Sequence, residues 1–306
     1  MTAAIEAHEL SKWFGEVIAL NNVTLTIPEG VTGLLGANGA GKSTFIKLCL
    51  GLYAPSRGSI KVLGAPPRNN PRVLRRIGYC PEIDNFYDSM TGFEFVYWLC
   101  RFAGFDANAA EKKAEEAMER VGMAERMDDL IETYSKGMRQ RTKLAQAIAL
   151  NPEVLFLDEP MNGLDPQGRE HMYSLIRELG DEGRTVIVSS HILYEIERVT
   201  DSVVLMFNAT LLAQGRVKEI RDLIDEYPHT IFVDSPHSRR IALAMAGEPS
   251  IRSVEFDGET VTFRTHDPNR FYHTLNELVA GEQITVRELY CTDDNLQSVF
   301  DYLIKR

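Results

Sequence analysis

The run "GLLGANGAGKSTFIKL" puts Gly36, Gly41, Lys42 and Ser43 in the spacing G-x-x-x-x-G-K-[ST], after a strand-like apolar stretch and at the start of a helical pattern. Glycines let the backbone curl until successive N–H groups face one anion, and a helix N-terminus adds partial positive charge. Lys42 would then reach the β and γ phosphates of a nucleotide, with the Ser43 hydroxyl offered to Mg²⁺. A Gly-rich turn without a ligand is the bland alternative. The strand-loop-helix context argues against it.

Further along, "EVLFLDEP" ends an apolar run in two adjacent carboxylates, Asp158 and Glu159. Beside a phosphate-binding loop, an acid at such a strand end orients Mg²⁺, and the next carboxylate can polarise an attacking water. Two solvated acids are the competing reading. His191 follows "VIVSS", at the strand end where open α/β sheets place ligands, but position alone leaves it between a surface residue and a ligand. Ser135, in "YSKGMRQR", stands where a helix should begin and reads first as an N-cap.

These groups need rigid elements to hold them. "VTLTIP" (23–28), "VTGLL" (31–35), "VLFLD" (154–158) and "TVIVSS" (185–190) read as strands. The continuous apolar runs among them suit a parallel sheet covered by helices on both faces. Residues 91–150 are mostly helical in pattern, which predicts an α/β domain over 1–215 with a helical subdomain near 85–150. A connecting helix is expected at 216–228, closed by Pro228. Residues 229–306 then read strand (230–234), helix (237–246), strand (251–256), strand (260–264), helix (268–279), strand (284–290) and helix (294–304). That βαββαβ order is the ferredoxin-like α+β pattern.

The 306 residues carry a formal net charge of −11, which argues against a nucleic-acid surface. Two basic stretches survive within that balance, Arg72 to Arg76 and Lys136 to Lys143. No apolar stretch reaches the roughly 18 residues expected of a membrane-spanning helix, and the start "MTAAIEAHEL" lacks the apolar core of a signal peptide. Cys49, Cys80, Cys100 and Cys291 show no metal or redox spacing and read as reduced, mostly buried thiols.

In order and spacing, the phosphate loop, "YSKGMRQR", "VLFLDEP", "GLDP" (163–166) and His191 together resemble the ATP-binding cassette ATPases, the nucleotide-binding subunits of ABC transporters. The resemblance covers about residues 4–215 and implies a P-loop NTPase cassette that binds ATP and Mg²⁺. By it, Gly36, Asn38, Gly39, Ala40, Gly41, Lys42, Ser43 and Thr44 hold the phosphates. Phe14 stacks on adenine, with Trp13 beside it as the alternative. Glu159 is the catalytic carboxylate, His191 contacts the γ-phosphate, and Ser43 and Asp158 serve the metal. Ser135 and Gly137 belong to the signature motif, in which Lys136 and Met138 replace the usual Gly and Gln, a departure common among exporter-like members. Asp165 matches a loop that crosses between subunits, against simple turn capping before Pro166. Glu82 stands where most of the family has Gln touching Mg²⁺ and water, so it is carried as a metal-side residue that departs from the pattern.

The same resemblance implies a second cassette packed head to tail, of which an identical chain is the simplest, so that each signature serine meets the phosphates held by the other chain. It also implies separate transmembrane permease subunits, a place on the cytoplasmic face of the membrane, and export as the direction. A soluble cassette acting as a switch on another protein machine is the alternative. Phe95, Trp98 and Phe102 share a helical stripe whose simplest reading is core of the helical subdomain; the family places a permease-binding groove in this region.

Overall fold

The computed structural model describes residues 3–222, 228–282, 284–292 and 300. The chain forms two compact units, Met1–Gly215 and Arg216–Arg306. The first runs β1 (Ala3–Phe14), β2 (Val17–Pro28), β3 (Gly30–Leu35), α1 (Lys42–Cys49), β4 (Arg57–Val62), α2 (Pro71–Leu74) and β5 (Ile77–Cys80). It continues with α3 (Gly92–Phe102), α4 (Ala107–Arg120), α5 (Lys136–Ile148), β6 (Val154–Asp158), α6 (Pro166–Asp181), β7 (Thr185–Ser190), α7 (Leu193–Glu197), β8 (Ser202–Phe207) and β9 (Thr210–Arg216).

Six strands make one sheet in the order β5-β6-β7-β3-β8-β9, with parallel pairing from β5 through to β8. Every residue of β6 and β7 is buried, so these strands read as unbroken apolar runs because both faces are covered. A second, antiparallel sheet of order β2-β1-β4 faces the first. The core lies between them around α1, where Phe45 and Ile46 meet Ile5, Leu20 and Ile27 on one side and Phe156, Ile187 and Val204 on the other.

The helical subdomain starts with a reciprocal cap. Thr91 Oγ1 accepts the Glu94 N–H at 3.0 Å while Glu94 Oε2 accepts the Thr91 N–H at 2.9 Å, so two otherwise orphaned donors are satisfied at the start of α3. Helix α3 buries Gly92, Phe95, Val96 and Cys100, and α4 turns Ala110, Ala114, Ala117 and Met118 inward. The small side chains of α4 let the two helices approach closely. The core reading of the aromatic stripe therefore needs correcting: Phe95 is 7% exposed, but Trp98 is 45% and Phe102 83% exposed. The buried face is centred on Val96 and Cys100, which rotates Trp98 and Phe102 out of it.

The second unit runs α8 (Val217–Asp222), β10 (His229–Asp234), α9 (Ser238–Met245), β11 (Ile251–Asp257), β12 (Thr260–Thr265), α10 (Pro268–Glu282) and β13 (Glu288–Cys291). Its antiparallel sheet has the order β11-β12-β10-β13, the ferredoxin-like arrangement. Ile231, Val233, Val261 and Phe263 pack under Ile241 and Met245 of α9 and Phe271 and Leu275 of α10. The last strand starts at Glu288 rather than 284, and β10 shows why. Its ladder to β13 ends at Asp234↔Glu288; beyond it Ser235 donates its hydroxyl to Thr285 O at 2.6 Å, and Pro236 has no N–H to continue. Of the expected connecting helix, 223–227 lie outside the described residues, as does nearly all of the helix expected at 294–304. Cys49, Cys80 and Cys100 are buried and Cys291 half-buried; burial pushes the Cys80 thiol up to about 12.

Candidate functional site

Between β3 and α1 the backbone makes a loop that only glycine can make at two points. Gly41 sits at φ 105, and a Cβ there would stand 2.7 Å from Ala19 O and 2.8 Å from Leu20 Cδ2. At Gly36 a Cβ would stand 2.4 Å from Met206 O. Gly41 is also the N-cap of α1, and no side chain caps that helix, so its first N–H groups remain available to an anion. Lys42 is 6% exposed and folds back on the loop, its Nζ donating to Gly36 O at 2.6 Å.

Strand β6 delivers the two carboxylates to the same place. Ser189 of the neighbouring β7 donates its hydroxyl to Asp158 Oδ1 at 2.6 Å and accepts the Glu159 N–H at 2.9 Å, fixing both acids. Ser43 Oγ lies 3.4 Å from Asp158 Oδ1. Glu159 has a left-handed backbone, φ 50, uncommon for a residue with a side chain, and is 6% exposed. Its Oε1 lies 3.6 Å from Lys42 Nζ and its Oε2 3.0 Å from His191 Nδ1. Burial pushes the Glu159 carboxyl above the ordinary carboxylate range, with His191 and Lys42 pulling the other way. The turn that carries His191 is itself held: Ser190 donates to buried Glu195 at 2.7 Å and accepts the Ile192 N–H at 3.0 Å.

A cleft of about 530 Å³ opens over this loop, lined by Phe14, Val17, Ile18, Ala19, Ala37–Thr44, Glu82 and Glu159. Phe14 meets Tyr53 edge to face at 5.1 Å, with Lys12 Nζ 4.9 Å from its ring centre. Of the two neighbouring aromatics it is Phe14, not Trp13, that lines the cleft. Val17 and Ile18 extend the apolar wall, 66% and 53% exposed. They escaped the sequence reading, although apolar residues on a short hairpin arm with no core to face were a usable signal.

Ser135, Gly137 and Asp165 do not line the cleft. Ser135 caps α5, its Oγ accepting the Met138 N–H at 3.2 Å, and is exposed. Asp165 caps α6, its Oδ1 accepting the Gly168 N–H at 2.9 Å. These two helix starts are neighbours, since a Cβ at Gly163 would stand 2.3 Å from Lys136 Cδ and one at Gly137 3.6 Å from Leu164 Cδ2. The expected residues thus divide: Phe14, the loop residues from Asn38 to Thr44, Glu82 and Glu159 line the cleft, Gly36, Asp158 and His191 bond to residues that line it, and Ser135, Gly137 and Asp165 do neither.

Ser43 and Glu82 at the cleft, with Asp158 beside Ser43, offer oxygen donors that suit a hard cation such as Mg²⁺. Among the described residues no group of three His, Cys, Asp or Glu side chains is placed to hold a metal unaided. Mg²⁺ is commonly held by one or two carboxylates, with phosphate oxygens and water completing its shell.

Residues 20–162 match the family model described as ABC transporter. The chain is 32% identical over 307 residues to the bacitracin transport ATP-binding protein BcrA of Enterococcus faecalis, covering 99% of this chain and 97% of that protein. It is 33% identical over 275 residues to the Nod factor export ATP-binding protein I of Rhizobium meliloti, covering 88% and 80%. Among solved structures, one described as the ATP binding subunit of an ABC transporter superposes with a TM-score of 0.65 at 30% identity, over 72% of this chain and 92% of that one.

Proposed function

This chain belongs to the ABC transporter family as an ATP-binding subunit, an ATPase coupled to transport, and from that premise we propose an exporter subunit that works as a cassette dimer on separate transmembrane permeases. The Nod factor relative, named for export, supports the direction, and the match to a bacitracin transport protein over nearly all of both chains favours this reading over a soluble switch. No described helix is long and apolar enough to cross a membrane, so the attachment proposed is peripheral, on the cytoplasmic face, through the permeases.

The hydrolytic reading is carried by Glu159, held 3.6 Å from Lys42 and 3.0 Å from His191 at the rim of the phosphate loop. Phe14, Val17 and Ile18 offer an apolar seat to the adenine. The loop N–H groups of 36–44 and the open start of α1 take the phosphates, and Lys42 leaves Gly36 O and Glu159 to meet them. Ser43, Asp158 and Glu82 would hold Mg²⁺, which when bound would supply positive charge against the phosphates. Glu159, released from Lys42, accepts the proton of the attacking water, and His191 with its proton on Nδ1 orients that carboxylate. Ser135, Gly137 and Asp165, set away from the cleft of their own chain, are assigned to the nucleotide of a second chain.

The reading is tested by purifying the chain from membranes and measuring ATP turnover before and after detergent extraction. Recovery together with an integral membrane protein, and turnover that changes with that protein present, is expected. Recovery with no membrane protein would contradict it.

A further inference from the structure

The basic stretch from Lys136 to Lys143 finds a use that the phosphate chemistry does not call for. Arg139, Lys143 and Gln146 stand at i, i+4 and i+7 on α5, one stripe of the helix. All three reach the segment 79–88, the end of β5 and the stretch that follows it toward α3. Arg139 Nη1 lies 2.9 Å from Asp88 Oδ1, with its guanidinium 5.9 Å from the Phe86 ring centre. Lys143 Nζ donates to the main-chain oxygen of Glu82 at 2.8 Å and pairs with Asp84 Oδ1 at 2.8 Å. Gln146 Nε2 donates to Tyr79 O at 3.3 Å.

Lys143 is the middle strap and the buried one, 2% exposed. An ammonium is almost never buried unless it is fully partnered, and a leucine would fill the same space without that cost. What the ammonium adds is a hold on the backbone of one residue, Glu82, that lines the cleft over the phosphate loop. We infer that Lys143 is a positioning residue for ATP hydrolysis: by fixing the Glu82 carbonyl and the Asp84 carboxylate to α5, it sets where the Glu82 carboxylate stands in the cleft. The inference rests on the proposed reading of Glu82 as a group that serves the metal and the attacking water. A carboxylate displaced by a fraction of its own length loses the geometry that such a role needs.

The test is a double-variant cycle on the full chain, with Lys143→Met, Glu82→Ala and both together, read by ATP turnover and by amide hydrogen exchange over residues 80–88. Lys143→Met is expected to speed exchange in that segment and to lower kcat about tenfold while KM for ATP stays within about twofold. In the Glu82→Ala background the same substitution should lower kcat no further, because its effect passes through Glu82. Unchanged exchange over 80–88, or losses that multiply in the double variant, would overturn the inference. Turnover of Glu82→Ala equal to the parent would remove Glu82 from the reaction and the inference with it, a failure read from that single variant alone. Should Lys143→Met fail to fold, Asp84→Ala keeps the lysine and its bond to Glu82; it should move both readouts the same way by a smaller amount, and no movement would again overturn the inference.

Discussion

Glu159 shows how the fold holds one residue for the role proposed for it. Its backbone is left-handed, its amide is tied to Ser189 and its carboxyl is shut between Lys42 and His191. Glu159→Gln keeps the shape and removes the base, so ATP binding should persist while hydrolysis falls about 10²- to 10⁴-fold, the usual worth of a general base; turnover near that of the parent would mean that another group takes the proton. The same residue predicts a stability effect. Burial raises the folded-state carboxyl above its unfolded value, so its contribution is fully present at low pH and is lost as pH rises through the folded value. A permanently neutral Gln should therefore melt higher than the parent at pH 7, with the gap closing as pH falls into the ordinary carboxylate range. An equal or lower melting temperature at pH 7 would show that the Lys42 and His191 contacts outweigh burial.

At the scale of elements, two helix starts are finished differently. The start of α1 is left uncapped in side-chain terms and faces the cleft, whereas α5 is capped by its own Ser135 and looks onto a separate surface beside Gly163 and Leu164. Ser135→Arg should leave nucleotide binding by the single chain intact, since the residue lies outside the cleft, and should block association of two chains on ATP. Association at the parent level, followed by sedimentation, would remove Ser135 from a shared site. Much of this was legible in the sequence because spacing encodes it: β6 and β7 are buried on both faces and so read as continuous apolar runs ending in Asp158 and in Ser190 before His191. The antiparallel sheet and the wall of Val17 and Ile18 were less legible, because their strands alternate and their roles depend on which strand lies across from which. Trp98 and Phe102 misread for a related reason, since a stripe at helical spacing does not say which side of the helix the rest of the subdomain covers.

On the scale of the whole molecule, the exposed rings of Trp98, Phe102 and Tyr87, and the position of Ser135, Gly137 and Asp165 outside the cleft lining, motivate the partners proposed. Trp98 is more than half covered, so its replacement by Ser should cost measurable folding stability, whereas replacing Phe102 by Ser should change it by no more than about 0.5 kcal/mol, as at ordinary surface positions. Together the two replacements should leave turnover of the isolated chain unaltered and reduce the amount of membrane protein recovered with it; full recovery would place the permease contact elsewhere. The central claim is that a complete ATP site needs two copies of the cassette, with Ser135 of one facing the phosphate loop of the other. It is tested most directly by the light-scattering mass of the Glu159→Gln chain with and without ATP in the absence of Mg²⁺. A monomer that becomes a dimer on adding ATP is expected, and a mass that stays monomeric with ATP demonstrably bound would contradict the claim.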